Sequence, residues 1–201
     1  MKTALVSMML MVMPFIASSR DLLAEAADKI ASAPSLSTRY EASDPTGKVT
    51  GEAVMAGKRF VIVTDAGDFE TWFDGKTQWT YSEASGEVSM TEPTPAEIFE
   101  VNPLAIITDV KDRYRIKPLT STDSAVSRFR LEPVGDNPTV KSAVVTIDNR
   151  SGWPIEIQAV LSDSGTVSLR FSETTVGEKI APERFRYNPA FHPDAEIIDL
   201  R

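Results

Sequence analysis

Residues 69–90 read FETWFDGKTQWTYSEASGEVSM. Asp74-Gly75 between two strand-like runs is a hairpin signal, because Asp-Gly accepts the positive φ angles that a tight type I′ turn needs. A loop of those two residues sets Phe73 opposite Lys76 and Trp72 opposite Thr77. Trp72, Trp79 and Tyr81 then share one face, while Phe69 and Phe73 share the other. A sheet with one wet side alternates apolar and polar residues cleanly. Aromatics on both faces therefore predict cover on both: one face lining a ligand cavity, the other packed beneath a neighbouring element.

Outward from the hairpin the chain continues as a series of short strands. Expected strands before and through it are 37–42, 49–56, 59–64, 69–73, 77–82 and 87–91, separated by Asp44-Pro45-Thr46-Gly47, Ala56-Gly57, Asp65-Ala66-Gly67-Asp68, Asp74-Gly75 and Ser85-Gly86. Links this short force antiparallel neighbours, since parallel pairing needs a crossover. Later strands are expected at 113–117, 125–133, 140–148, 153–161 and 166–173. Trp153, Ile155, Ile157, Ala159 and Leu161 alternate against Glu156 and Gln158, and Val167, Leu169 and Phe171 against Ser168 and Arg170, so one sheet face is consistently apolar.

Helices are few. Residues 20–33, RDLLAEAADKIASA, place Leu23, Ala26, Ala27 and Ile30 on one stripe, stopped by Pro34. This alanine-rich stripe suits a sheet edge rather than the nucleus of a core. Between the strands, Thr94-Pro95-Ala96-Glu97 is a capping box with proline at the first helical position, and Asn102-Pro103 offers a second start into Leu104, Ala105, Ile106 and Ile107. About eleven strands and three short helices predict a mainly β fold, and an open sheet of that size tends to curl.

Composition bounds the function. With 201 residues, 42% hydrophobic and 25% charged, the chain is of ordinary globular type, and its net charge of -8 argues against nucleic acid or anionic surfaces as passive partners. Residues 1–19 carry Lys2, an apolar run from about Ala4 to Ile16 and small residues at Ala17-Ser18-Ser19, the layout of a cleavable secretory signal peptide. Its removal takes away only Lys2 among the charges, shifting the net charge from -8 to -9. Residues 20–201 are then expected to form a single domain. There is no cysteine, so neither a lipid anchor after the signal nor a disulfide is available.

Catalytic chemistry finds little footing. The single histidine, His192, lies beside Pro193 in a tail and reads as a surface residue, so a nucleophile–His pair and a zinc site both lack parts. No glycine-rich phosphate loop opens a helix. Asp65, Asp68, Glu70 and Asp74 cluster in sequence, but Asp65, Asp68 and Asp74 stand where turns favour aspartate. No enzyme, metal or cofactor is expected. A broad apolar sheet face with few helices to cover it points to binding of an apolar ligand.

A family resemblance sharpens this. Asp74, Gly75, Lys76, Trp79 and Tyr81 form a D-G-K-x-x-W-x-Y hairpin similar to that of the LolA family of outer-membrane lipoprotein carriers. The leading Ala/Leu-rich helix, the T-P-x-E and N-P helix starts, and the tail FRYNPAFHPDAEIIDLR complete the ordered set, and the tail is most similar to Bacteroidetes members. The resemblance implies an incomplete antiparallel β-barrel whose short helices form a lid over a hydrophobic cavity. It implies a monomeric periplasmic carrier that takes acylated lipoproteins from an inner-membrane ABC-type releasing complex to an outer-membrane acceptor. On that basis Ile98, Phe99, Leu104, Ile106 and Ile107 are the expected lid, and Met55, Phe60, Ile62, Trp72 and Trp79 the expected wall. Proteobacterial members carry an Arg-Pro pair whose arginine latches the lid; here Ala56-Gly57-Lys58-Arg59-Phe60 lacks the proline, and Arg59 is the nearest cation. The alternative within binding proteins is a sensor of lipids or mislocalised lipoproteins on the same half-barrel; a secreted hydrolase working through Asp65–Asp74 is the third.

Overall fold

A computed structural model describes residues 19–94, 97–98, 101–102, 104–108, 110–135, 140–162 and 165–201. The proposed signal peptide lies outside them, save its last residue, Ser19. The chain begins with helix α1 (Ser19–Ser32) and enters strands β1 (Ser35–Ser43), β2 (Lys48–Ala56), β3 (Arg59–Thr64), β4 (Phe69–Phe73), β5 (Gln78–Ser82) and β6 (Glu87–Thr91). Helical residues at Glu97, Ile98 and Val101 and the one-turn helices α2 (Ala105–Thr108) and α3 (Val110–Arg113) interrupt the β run. It resumes with β7 (Tyr114–Leu119), β8 (Val126–Pro133), β9 (Val140–Asp148), β10 (Pro154–Leu161) and β11 (Thr166–Gly177), then a 3-10 turn (Pro182–Phe185) and β12 (Glu196–Asp199).

The strands form one 12-stranded open sheet in the order β12-β6-β5-β4-β3-β2-β1-β11-β10-β9-β8-β7. It does not close into a barrel, in keeping with the incomplete barrel expected. Successive strands pair antiparallel, and β1 pairs with β11 to join the two meanders. The strand that the sequence reading lacked is β12, a four-residue piece of the tail that pairs parallel with β6. Its connection runs through the tail's own turns, so it carries none of the short-loop signal that marks the others.

The signature hairpin keeps its faces but not its loop. Trp72 pairs with Trp79 and Phe73 with Gln78, so Asp74–Thr77 forms a four-residue connection instead of the expected two. The cause is the Asp74 carboxylate, whose Oδ1 accepts the N–H groups of Lys76 at 3.0 Å and Thr77 at 2.9 Å while Gly75 takes φ +101°. The register moves by two residues, which preserves side-chain parity.

The buried core lies mainly on one side of the sheet, here called the inner face. One apolar cluster runs from Phe73 on β4, through Phe60, Met55 and Leu36, to Phe171, Ile157, Val145, Phe129 and Tyr114 on β7. Leu23, Ala26, Ala27 and Ile30 of α1 all belong to it and are almost fully buried. The helix lies over β7, the edge strand, and β8, as the light stripe suggests, yet it is also part of the core: small alanines let it sit close to its neighbours, so the stripe buries completely. A glycine is required where two side-chain layers meet this sheet: a Cβ on Gly51 would overlap the Val63 carbonyl oxygen and come within 2.6 Å of the Tyr40 hydroxyl. Gly51→Val is expected to destabilise the protein by about 1–3 kcal/mol or more through overpacking, read as a lowered urea midpoint at unchanged m-value.

Candidate functional site

The inner face and its helical cover bring together most of the residues that the sequence points to. Met55, Phe60 and Ile62 project inward from β2 and β3, and Leu104, Ile106 and Ile107 belong to the same buried cluster. Ile98 packs on its rim, half-buried. Phe99 lies outside the described residues. Phe60 and Phe73 meet at a tilt with ring centroids 5.2 Å apart, so Phe73, rather than a tryptophan, is the hairpin's inner aromatic.

The cover is held by local polar contacts and an exposed ion pair. Thr94 and Glu97 form the capping box read from the sequence: Thr94 N–H donates to Glu97 Oε2 at 2.7 Å and Glu97 N–H to Thr94 Oγ1 at 3.4 Å. Asn102 caps the next turn, its Oδ1 accepting the Leu104 N–H at 3.2 Å, and its amide lies 4.0 Å from Met55 Sδ on the wall beneath. Lys111 Nζ on α3 reaches the Asp28 carboxylate on α1 at 2.8 Å in the open. At its C-terminal end, α1 is tied to the β9–β10 turn by Lys29, which donates to the Ser151 carbonyl at 2.8 Å and sits 3.8 Å over the Trp153 ring. Short helices supply little cooperativity of their own, so this cover depends on the apolar surface beneath it.

Beyond Phe73 the inner face turns polar. Thr71 is fully buried and its hydroxyl meets that of Thr80 at 3.4 Å; Gln78 donates to Thr80 Oγ1 at 3.3 Å and leaves its Oε1 buried without a partner.

Trp72, Trp79 and Arg59 lie on the outer face instead. There Trp72 and Phe185 are buried with Val61 and Ala56, and Trp79, Tyr81 and Tyr187 pack around them. The carboxy-terminal segment provides the lid on this side. Trp72 meets Tyr187 edge-on at 5.3 Å, and His192 stacks on Tyr81 at 3.6 Å with its Nε2 3.4 Å from Glu70. The Arg59 guanidinium stands over the Phe185 ring at 5.2 Å, and Arg186 pairs with Asp74 at 3.0 Å. Arg59 thus contacts the tail, on the opposite side of the sheet from α2 and α3. His192 is largely covered rather than a surface residue, which its position beside Pro193 did not disclose.

The four sequence-clustered carboxylates separate into structural roles. Asp65 accepts from the Thr50 hydroxyl and from Arg39, which hold its carboxyl below the usual range; Asp68 accepts from Thr64, Glu70 faces His192, and Asp74 organises the hairpin turn. Among the described residues, no three His, Cys, Asp or Glu side chains converge as metal ligands, and no helix is long and apolar enough to cross a membrane.

The sequence signal for Phe73 was present in the hairpin's own parity. The burial of Leu23 and Ile30 was also legible as a stripe. Nothing in the local pattern marked Phe185 as the plug of the outer face.

Two measurements test this description. Phe185→Ala is expected to cost about 3–5 kcal/mol and to open the chain to trypsin at Arg184 and Arg186; an unchanged digestion rate would contradict the plug. The Glu97 carboxyl sits below its ordinary value because it accepts the Thr94 N–H. Its folded value is therefore lower than its unfolded one, so the cap's contribution is present above the unfolded value and lost as pH falls through the folded one. Amide exchange at Ile98 and Asn102, corrected for intrinsic rates, is expected to rise on acidification through that window, and Glu97→Gln is expected to flatten the response.

Comparison with known proteins places this architecture. The sequence profile described as "Outer membrane lipoprotein carrier protein LolA" matches residues 21–161. No curated protein matches the sequence. Among solved structures, an uncharacterized conserved protein from Thermus thermophilus is similar with a TM-score of 0.59 at 10% identity, over 90% of this chain and 99% of that one. A DUF1329 family protein from Desulfovibrio piger is similar at 0.53 and 8% identity, over 84% and 96% of the two chains. A LolA superfamily protein from Nitrosomonas europaea matches at 0.46 and 9% identity, over 84% and 97%. At these identities the structural likenesses speak for the fold alone, whereas the profile spans more than half of the chain: the protein belongs to the LolA family of outer membrane lipoprotein carrier proteins.

Proposed function

We propose that the protein is a periplasmic carrier that shields the acyl chains of lipoproteins between its inner sheet face and its helical cover. One observation carries the reading: the apolar inner face is continuous from β4 to β7 and is closed by α1 and one-turn helices instead of a second sheet. Each exposed CH₂ of an acyl chain costs about 0.8 kcal/mol in water, so a multiply acylated protein needs such an apolar surface to cross an aqueous compartment. Acyl chains would take the place of Leu104, Ile106 and Ile107 in the buried cluster that also holds Met55, Phe60 and Ile62. The small helices can lift because their caps travel with them: Thr94–Glu97 and Asn102–Leu104 are local and survive displacement, while Lys111–Asp28 is solvent-exposed and weak.

Residues 1–19 act as the export signal in this reading, and the remainder is the carrier domain. Cargo would arrive from an inner-membrane releasing complex and leave at an outer-membrane acceptor. Ile107 is fully buried, so a charge there would damage folding as well as binding and makes a poor probe. Cross-linking is cleaner, because the chain has no cysteine of its own. Asp28→Cys with Lys111→Cys, bridged by a short bis-maleimide, fastens α1 to α3. Incubated with spheroplasts that retain the releasing machinery, the unbridged variant is expected to recover newly made lipoproteins in soluble complexes and the bridged one to recover at least tenfold fewer. Equal recovery would reject movement of this cover, and no recovery by the wild-type chain would reject the carrier reading.

A further inference from the structure

The chain's charge is unevenly distributed. Against 29 acidic and 21 basic residues overall, strands β7 (YRIKPL) and β8 (VSRFRLEP) carry Arg115, Lys117, Arg128 and Arg130 with one carboxylate, Glu132. Pairing sets Lys117 beside Arg130 and Arg115 beside Glu132, with Arg128 next along. Tyr114, Ile116, Phe129 and Leu131 point into the core, so the alternation of side chains sends all four cations to the outer face. Glu132 is saturated: Lys117 reaches it at 2.7 Å, and the Arg115 and Arg130 charges also act on its carboxyl, which lies below its ordinary value. The neighbouring strands offer little opposite charge on this face. Ser142, Val144, Thr146 and Asp148 follow on β9, where the Asp148 carboxylate accepts the Ser151 N–H of its own turn at 2.7 Å, and Glu156 on β10 is engaged by Arg170 at 3.5 Å. The tail that covers the outer face packs on the other half of the sheet, around Trp72.

We infer that this outer face of β7–β8 is a docking surface for anionic phospholipid bilayers. The cations form two adjacent rows on a sheet, about 4.8 Å apart across strands and about 7 Å along them, close enough to act together on one anionic surface. A protein interface of comparable strength is centred on aromatic or large aliphatic anchors; the aliphatic residues on this face, Leu119 beside Arg128 and Val144 beside Arg130, are isolated and half-buried among the cations. Because the rest of the chain is acidic, the same field that attracts this face repels the others and fixes the orientation of approach. The inference does not depend on the carrier reading.

The test is flotation of the purified protein, without residues 1–19, with vesicles of phosphatidylcholine alone or of two parts phosphatidylcholine to one of phosphatidylglycerol. At low salt the protein is expected to float with the anionic vesicles only, and to be released by about 1 M salt, where screening is strong. Neutralising the patch (R115Q, K117Q, R128Q, R130Q) is expected to weaken partitioning by up to about a thousandfold. Neutralising four exposed cations elsewhere (K48Q, K58Q, K179Q, R184Q) matches the loss of charge and is expected to leave binding within a few-fold. Circular dichroism verifies that both variants fold. Absence of wild-type flotation, binding that survives high salt, or equal losses in the two variants would each overturn the proposal. So would retention on immobilised polyglutamate without vesicle binding, which would reassign the patch to an acidic protein.

Discussion

Aromatic side chains on both faces of one hairpin govern this molecule. Phe73 and the Trp72–Trp79 pair project from adjacent positions of β4 and β5 in opposite directions, and neither side can be left in water at a tolerable cost. Each face therefore needs its own cover, and the two covers come from different parts of the chain. On the inside, Phe60 and Phe73 join one buried cluster with the amino-terminal helix and the short central helices. On the outside, the carboxy-terminal tail presses Phe185 and Tyr187 against Trp72 and then joins the sheet as β12.

The covers differ in character, and the difference suits a carrier. The outer one is pinned by varied contacts: a buried phenylalanine, stacked rings, the Arg186–Asp74 pair and a strand pairing. The inner one rests on apolar contact, with its polar bonds mostly satisfied within the helices themselves. Apolar contact is non-directional, which is what the proposed exchange of acyl chains for Ile106 or Leu104 requires, whereas the outer tail is held by directional contacts. The place of Arg59 follows the same division, since its partner Phe185 belongs to the fixed cover.

Charge is partitioned as sharply as apolar surface. Acidic residues serve individual turns and pairs around the Trp72 half of the sheet, while β7 and β8 collect cations on one outer face. Arg-Ile-Lys and Arg-Phe-Arg are ordinary as sequence, because neither is a basic run. Only strand pairing places the two triplets side by side.

The sequence by itself determined the strands from β1 to β11, since period-two alternation and turn residues are local. Arg59–Thr64, Phe69–Phe73, Glu87–Thr91 and Val140–Asp148 appear residue for residue where expected. It also determined the capping box, the Asn102 start and the parity of the hairpin, because each depends on residues within a few positions. Tertiary structure decided what those faces touch. That Phe73 faces the helices while Trp72 faces the tail, that a thin alanine stripe is fully buried, and that His192 stacks on Tyr81 all involve partners distant in the chain. Parity specifies that two side chains share a face; which element arrives to bury them is set by long-range packing, which leaves no periodic trace in the sequence.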